Sequence, residues 1–152
     1  ELEKLTQLER LNVSNNRLTD VKGLEKRTKL TYLNIGNNNL TDVKGIETLT
    51  QLTTLSLSDN NLTSAKSLER HTKLTILFLN NNELTGVKGL DKLTQLEMLH
   101  LGGNQLTDIQ DLQILTGLKK LNLKDNPEIT QEQITELQKA LPNCKIDSSP
   151  KN

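Results

Sequence analysis

Aromatic residues are almost missing from this 152-residue chain, which has no Trp, one Tyr (Tyr32) and one Phe (Phe78). A globular core usually relies on several such rings, so the interior here is built on another plan. The only cysteine is Cys144, which excludes an internal disulfide and a Cys-rich structural zinc site. There is no charge excess either. Nineteen basic and nineteen acidic residues balance, which removes the long-range pull of a nucleic-acid binder or an anionic-membrane binder. No apolar run nears the roughly 20 residues of a membrane-spanning helix. What the chain has in plenty is Leu, Asn and Thr.

Those residues recur in order. Leu8, Leu30, Leu52, Leu74, Leu96 and Leu118 are spaced by 22 residues, and each opens the pattern L-x-x-L-x-L-x-x-N-x-L. The copies read LERLNVSNNRL, LTYLNIGNNNL, LTTLSLSDNNL, LTILFLNNNEL and LEMLHLGGNQL. The sixth, LKKLNLKDNPEI, carries one extra residue before Ile129. In each L-x-L the two apolar residues share one face of a strand and the residue between them takes the other. Leu11/Val13, Leu33/Ile35, Leu55/Leu57, Leu77/Leu79, Leu99/Leu101 and Leu121/Leu123 are therefore expected to face the core. The asparagine after each strand (Asn16, Asn38, Asn60, Asn82, Asn104 and Asn126) never varies. Its amide supplies both a donor and an acceptor to backbone groups left open where the chain turns.

The return segments, of the type LTDVKGLEKLT, place apolar residues three apart, as at Leu18, Val21 and Leu24. That spacing suits short 3-10 turns. Asp20, Asp42 and Asp108 are placed to cap them. Lys22, Lys44, Lys66 and Lys88 form one outward ladder. Glu25, Glu47, Glu69 and Asp91 form a second, and together they read as a solvated, charge-balanced face. Gly23, Gly45 and Gly89 recur at the repeat period and belong to the scaffold. Arg27 and His71 occupy a slot that Leu49, Leu93 and Leu115 fill elsewhere, and are expected to snorkel at the core edge.

This pattern is identified as the leucine-rich repeat, and its 22-residue form with LTDVKGLEKRTKL-type joins resembles the bacterial internalin family. It is also similar to the short repeats of eukaryotic phosphatase-regulatory proteins. The fold expected is an α/β-class, right-handed solenoid, with a parallel β-sheet on the concave face and 3-10 turns on the convex face. Residues 1–129 hold the repeats, with six strands. A C-terminal cap over 130–147 combines a helix at about 131–141 with a short strand, and 148–152 forms a disordered tail. Thr130 and Gln133 have capping-box spacing. Ile134, Leu137 and Leu141 fall on one helix face, which Pro142 closes. Leu141, Cys144 and Ile146 continue the repeat frame, so Cys144 is expected as a small buried core residue on the last strand. Leu2 matches Leu24 and Leu68, so the chain enters the pattern in mid-repeat. That reads as an excerpt, or as an open edge available for self-association.

The outward strand positions are where the repeats differ. They run Arg10, Tyr32, Thr54, Ile76, Met98, Lys120 in one row and Asn12, Asn34, Ser56, Phe78, His100, Asn122 in the next. Ile76, Phe78, Met98 and His100 are expected side by side, about 4.8 Å apart, as one exposed apolar patch. Such a patch with a polar rim marks a protein-binding surface. Tyr32 is a satellite anchor. The rim candidates are Ser56, Asp59, Asn81, Glu83, Glu97, Gln105, Lys120 and Lys124. His100 brings pH sensitivity near its reference value of about 6.5.

No nucleophile-base pair, phosphate-cradling Gly loop or metal motif is present, so no enzyme, no cofactor and no metal site are expected. Arg10, Arg17, Lys119, Lys120 and Lys124 lie at opposite ends, too dispersed for nucleic acid. The function expected is a non-enzymatic protein-interaction module, with bacterial surface adhesion or virulence as its setting. A cytosolic regulatory subunit of the phosphatase-regulator type and an engineered repeat scaffold are the alternatives. The sequons at Asn12, Asn39 and Asn61 would put glycans on or beside the concave strands. That favours a bacterial secreted or cell-surface protein, or a cytoplasmic one, over a eukaryotic secreted protein.

Overall fold

A computed structural model describes residues 7–151. Its seven strands are β1 (Arg10–Asn12), β2 (Tyr32–Asn34), β3 (Thr54–Ser56), β4 (Ile76–Phe78), β5 (Met98–His100), β6 (Lys120–Asn122) and β7 (Lys145–Asp147). They form one parallel sheet in chain order, each strand pairing with the next. One rung is one 22-residue repeat, so the register follows the frame: Leu11, Leu33, Leu55, Leu77, Leu99 and Leu121 are successive partners. The return sides carry 3-10 turns, and one helix, α1 (Gln131–Ala140), ends the stack. The result is an open solenoid with the sheet along its concave side. Leu2 lies outside the described residues.

The core is a single column of aliphatic side chains between sheet and turns, with no Phe, Tyr or Trp among its described residues. The asparagine ladder closes its rim. Asn82 Nδ2 donates to Leu57 O at 3.0 Å and Leu79 O at 3.1 Å, while its Oδ1 accepts from Leu62 N at 2.9 Å. Asn38, Asn60, Asn104 and Asn126 repeat the pattern, so carbonyls such as Leu57 O and Leu79 O each accept from two successive asparagines. The residue before each ladder asparagine has positive φ: Asn15, Asn37, Asp59, Asn81 and Asp125, with Gly103 in the fifth repeat. Asn, Asp and Gly bear that left-handed conformation at least cost.

On the return side, Asp20, Asp42 and Asp108 were expected to cap the 3-10 turns. Each instead accepts from the backbone N–H two residues on, ahead of turns whose N-cap positions are Gly23, Gly45 and Ile109 and carry no side-chain cap bond. The acidic ladder does more than face solvent. Glu25 and Glu47 carboxylates accept from Gly23 N and Gly45 N at 2.7 and 2.6 Å, and Asp91 accepts from Gly89 N. Those glycines have φ of 95°, 110° and 96°, and the turn begins immediately after each. Ser67 and Asp111 stand in the glycine slot of the third and fifth repeats. There the positive φ is lost and the turns start earlier in the frame, at Lys66 and Gln110.

Helix α1 buries Ile134 and Leu137 and packs on the Gln110–Ile114 turn. Its capping box is complete: Thr130 Oγ1 accepts from Gln133 N at 3.2 Å, and Gln133 Oε1 accepts from Thr130 N at 2.9 Å. Thr130→Ala is expected to cost about 1 kcal/mol of unfolding free energy, read by denaturant titration. The last rung differs from the sequence frame by two residues. Ile146, not Cys144, pairs with Leu121. The helix and the Leu141–Cys144 turn consume the extra chain, which leaves Cys144 buried just ahead of β7. Burial pushes its thiol pKa up. Residues 148–151, expected as a disordered tail, are tied down instead. Ser149 Oγ accepts from Asp125 N at 2.8 Å, and Lys151 N donates to Ile129 O at 2.7 Å.

Candidate functional site

Strands β4 and β5 bring four of the chosen side chains together. Ile76 pairs with Met98 and Phe78 with His100 across the parallel ladder. The Phe78 and His100 rings meet edge to face, with centroids 4.9 Å apart and planes at 85°. That arrangement matches the ring quadrupoles. The sequence led us to expect an exposed patch, but all four side chains are half-buried. At strand spacing, long side chains on neighbouring rungs lean on one another and shield part of their own surface. The patch is therefore pre-packed, with little rotamer freedom left in its side chains.

His100 Nε2 is buried and has no hydrogen-bond partner. Burial lowers its pKa, the nearby Lys120 cation lowers it further, and Asp147 opposes both. Its titration therefore falls below the reference value expected from the sequence.

Tyr32 lies apart, separated from Ile76 by Thr54 in the same row. The Arg10 guanidinium sits 4.2 Å from its ring centroid, so one aromatic face is already occupied. Among the rim candidates, Ser56 neighbours Phe78 directly and Lys120 neighbours Met98. Glu97 is held by Lys119 at 3.2 Å. Asp59 and Asn81 are bonded to each other at 2.9 Å, and both occupy positive-φ positions, so the backbone accounts for their identity. Glu83 and Gln105 follow the ladder asparagines and stand at the turn beyond the strands, as exposed residues off the patch. Lys124 is exposed beyond β6.

The return side holds two surprises. His71 is fully buried, 0% exposed, rather than snorkelling. Its Nδ1 lies 3.2 Å from Leu49 O, which requires a proton on Nδ1 and leaves Nε2 a bare acceptor with no partner. Arg27 remains half-buried. Ile114 is the one large apolar side chain strongly exposed among the described residues, at 58%. Comparing frame positions would have found it, because Lys26, Thr48, Arg70 and Lys92 fill the same slot. A groove of about 650 Å³ opens beside the early third turn, its lining including Asp42, Lys44, Glu47, Lys66, Glu69 and Arg70. Its charges are mixed and balanced, and it assembles no reactive pair. Among the described residues no group of three His, Cys, Asp or Glu side chains is placed to hold a metal. No helix among the described residues is long and apolar enough to cross a membrane.

Comparison with known proteins agrees with this architecture. The family model described as "Leucine Rich repeats (2 copies)" matches residues 28–70, 50–92, 72–113 and 94–143, and "Leucine Rich Repeat" matches 7–26. A leucine-rich-repeat protein of Leptospira interrogans is similar at 31% identity and a TM-score of 0.87, over 96% of this chain and 38% of that one. The chain therefore spans well under half the length of that protein. Internalin C2 of Listeria monocytogenes is similar at 24% identity and a TM-score of 0.80, over 99% of this chain and 76% of its own. Internalin F of the same organism gives 21% and 0.70, over 99% and 51%. No curated protein sequence matches the chain.

Proposed function

The chain belongs to the leucine-rich-repeat family, and on that premise we propose that it is a non-enzymatic protein-binding module whose partner docks on the sheet face. The contact centre is Ile76, Phe78, Met98 and His100. One observation carries the reading: these four share adjacent rungs at positions the repeat leaves free, while every framework position around them is repeated nearly verbatim. A bacterial origin with display outside the cell, in adhesion or virulence, belongs to the same proposal. The 31% identity to the Leptospira protein supports the origin. Fractionation of the source cells tests the display.

Phe78→Ala is the direct test. Affinity for a partner isolated with the unaltered chain is expected to fall by about 2 kcal/mol, as for a central aromatic anchor. Unfolding free energy is expected to fall by only about 1 kcal/mol, since Phe78 is half-buried and loses mainly its contact with His100. Titration calorimetry and denaturant unfolding read the two separately. Unchanged affinity moves the site elsewhere on the solenoid, and a stability loss of several kcal/mol makes Phe78 a core residue.

A further inference from the structure

The charges beside the patch are not symmetrical, although the chain as a whole is neutral. Along one outward row the register runs Ile76, Met98, Lys120, Lys145, so two apolar side chains lead directly into two lysines. In the other row Phe78 and His100 lead to Asn122 and Asp147. The remaining outward strand positions, on β1 to β3, are Arg10, Tyr32, Thr54, Asn12, Asn34 and Ser56. The outward strand positions thus hold three cations (Arg10, Lys120 and Lys145) and one anion, Asp147. Glu97, at the margin, is neutralised by Lys119 at 3.2 Å. The Lys120 and Lys145 side chains are exposed, and neither has an ion-pair or hydrogen-bond partner among the described residues. Exposed Lys124 adds a third free ammonium just beyond β6. The Lys120 charge already reaches the patch, where it disfavours protonation of His100.

We infer that the partner surface for this site is acidic and apolar together: an apolar anchor that settles on Ile76, Phe78 and Met98, with carboxylates one to two strand spacings beyond Met98 meeting Lys120 and Lys145. The inference rests on the sheet face being the docking site, and it adds the partner's charge and its direction across the strands. Strand spacing of about 4.8 Å puts those carboxylates roughly 5–10 Å from the Met98 edge of the anchor and roughly 10–14 Å from Ile76, within a few residues of it on a peptide. Opposite charges at that edge raise the association rate and fix orientation more than they add affinity.

Selection from a random dodecapeptide display library against the full chain tests this. Enriched peptides are expected to combine bulky apolar residues with Asp or Glu. Their binding is expected to weaken about tenfold or more in the Lys120→Glu/Lys145→Glu double variant, and to weaken in the unaltered chain between about 50 and 500 mM NaCl. Both lysines are exposed, so circular dichroism and Tm should match the unaltered chain. Neutral or basic peptides that lose binding on Phe78→Ala overturn the charge inference and leave the docking site standing. Peptides indifferent to Phe78→Ala, or no enrichment, overturn both.

Discussion

Asn82→Ala is expected to lower the unfolding free energy by about 3–4 kcal/mol, more than any surface change in the solenoid. The loss has two parts. Removing the Asn82 amide leaves the Leu62 N–H without its acceptor at 2.9 Å, inside a residue that is 1% exposed. An orphaned buried donor costs about 1–3 kcal/mol by itself. The donated bonds to Leu57 O and Leu79 O also go, but each carbonyl keeps a second asparagine, Asn60 or Asn104. Their loss is correspondingly smaller, about 0.5–1.5 kcal/mol each.

Asn82→Asp sharpens the test. The aspartate retains an acceptor for Leu62 N but turns an oxygen toward the Leu57 and Leu79 carbonyls, and it buries a charge. At neutral pH it is expected to be at least as damaging as Ala. In mild acid, where the protonated carboxyl can donate, it is expected to recover. Denaturant unfolding at two pH values checks both variants. A loss under 1 kcal/mol for Asn82→Ala would mean that water replaces the amide and that the ladder is dispensable.

The second large effect has the opposite sign. His71→Leu is expected to stabilise the chain by about 1–3 kcal/mol at neutral pH. It replaces a buried ring that carries an unsatisfied Nε2 with the residue that Leu49, Leu93 and Leu115 already supply in that slot. The Leu49 carbonyl keeps its bond from Leu52 N at 3.3 Å.

The gain is also pH-dependent. Burial lowers the His71 pKa in the folded chain, while the Leu49 carbonyl and Glu47 only partly offset this. Below the unfolded value of about 6.5 the unfolded chain binds the proton first, so stability falls as pH drops from there toward the folded pKa. Above 6.5 this contribution is fully present. The advantage of the Leu variant is therefore expected to widen between pH 7.5 and 5.5. His100, lowered in the same direction, keeps part of the acid sensitivity in both chains. Unfolding curves that fall in parallel for the two chains would assign the acid sensitivity entirely elsewhere.

Much of the candidate site was legible in the sequence. The period of 22 residues places Ile76 beside Met98 and Phe78 beside His100 because parallel rungs of equal length stack in register. Period-2 alternation separates Leu77 and Leu79 from their outward neighbours. The same frame failed at β7, where a ten-residue helix replaced the usual turn and shifted the pairing by two residues. It failed at His71 because the slot is defined by what packs above and below it, and a polar residue placed there is buried by its neighbours regardless of its own preference. It also left unseen that Arg10 covers Tyr32 and that the Glu25, Glu47 and Asp91 carboxylates cap glycine N–H groups. Those are contacts between side chains and specific backbone directions, and spacing alone does not reveal them.

By itself, then, the sequence determined the repeat unit, the facing of every strand residue, the asparagine ladder and the identity of the variable positions. These are consequences of local periodicity and of the hydrogen-bonding capacity of single residues. Only the tertiary structure decided how far each outward side chain is shielded, which lysines stay unpaired beside the patch, and how the last rung closes. Those properties depend on distances between rungs and on the actual length of chain consumed in each turn. They belong to the stack and to no repeat alone.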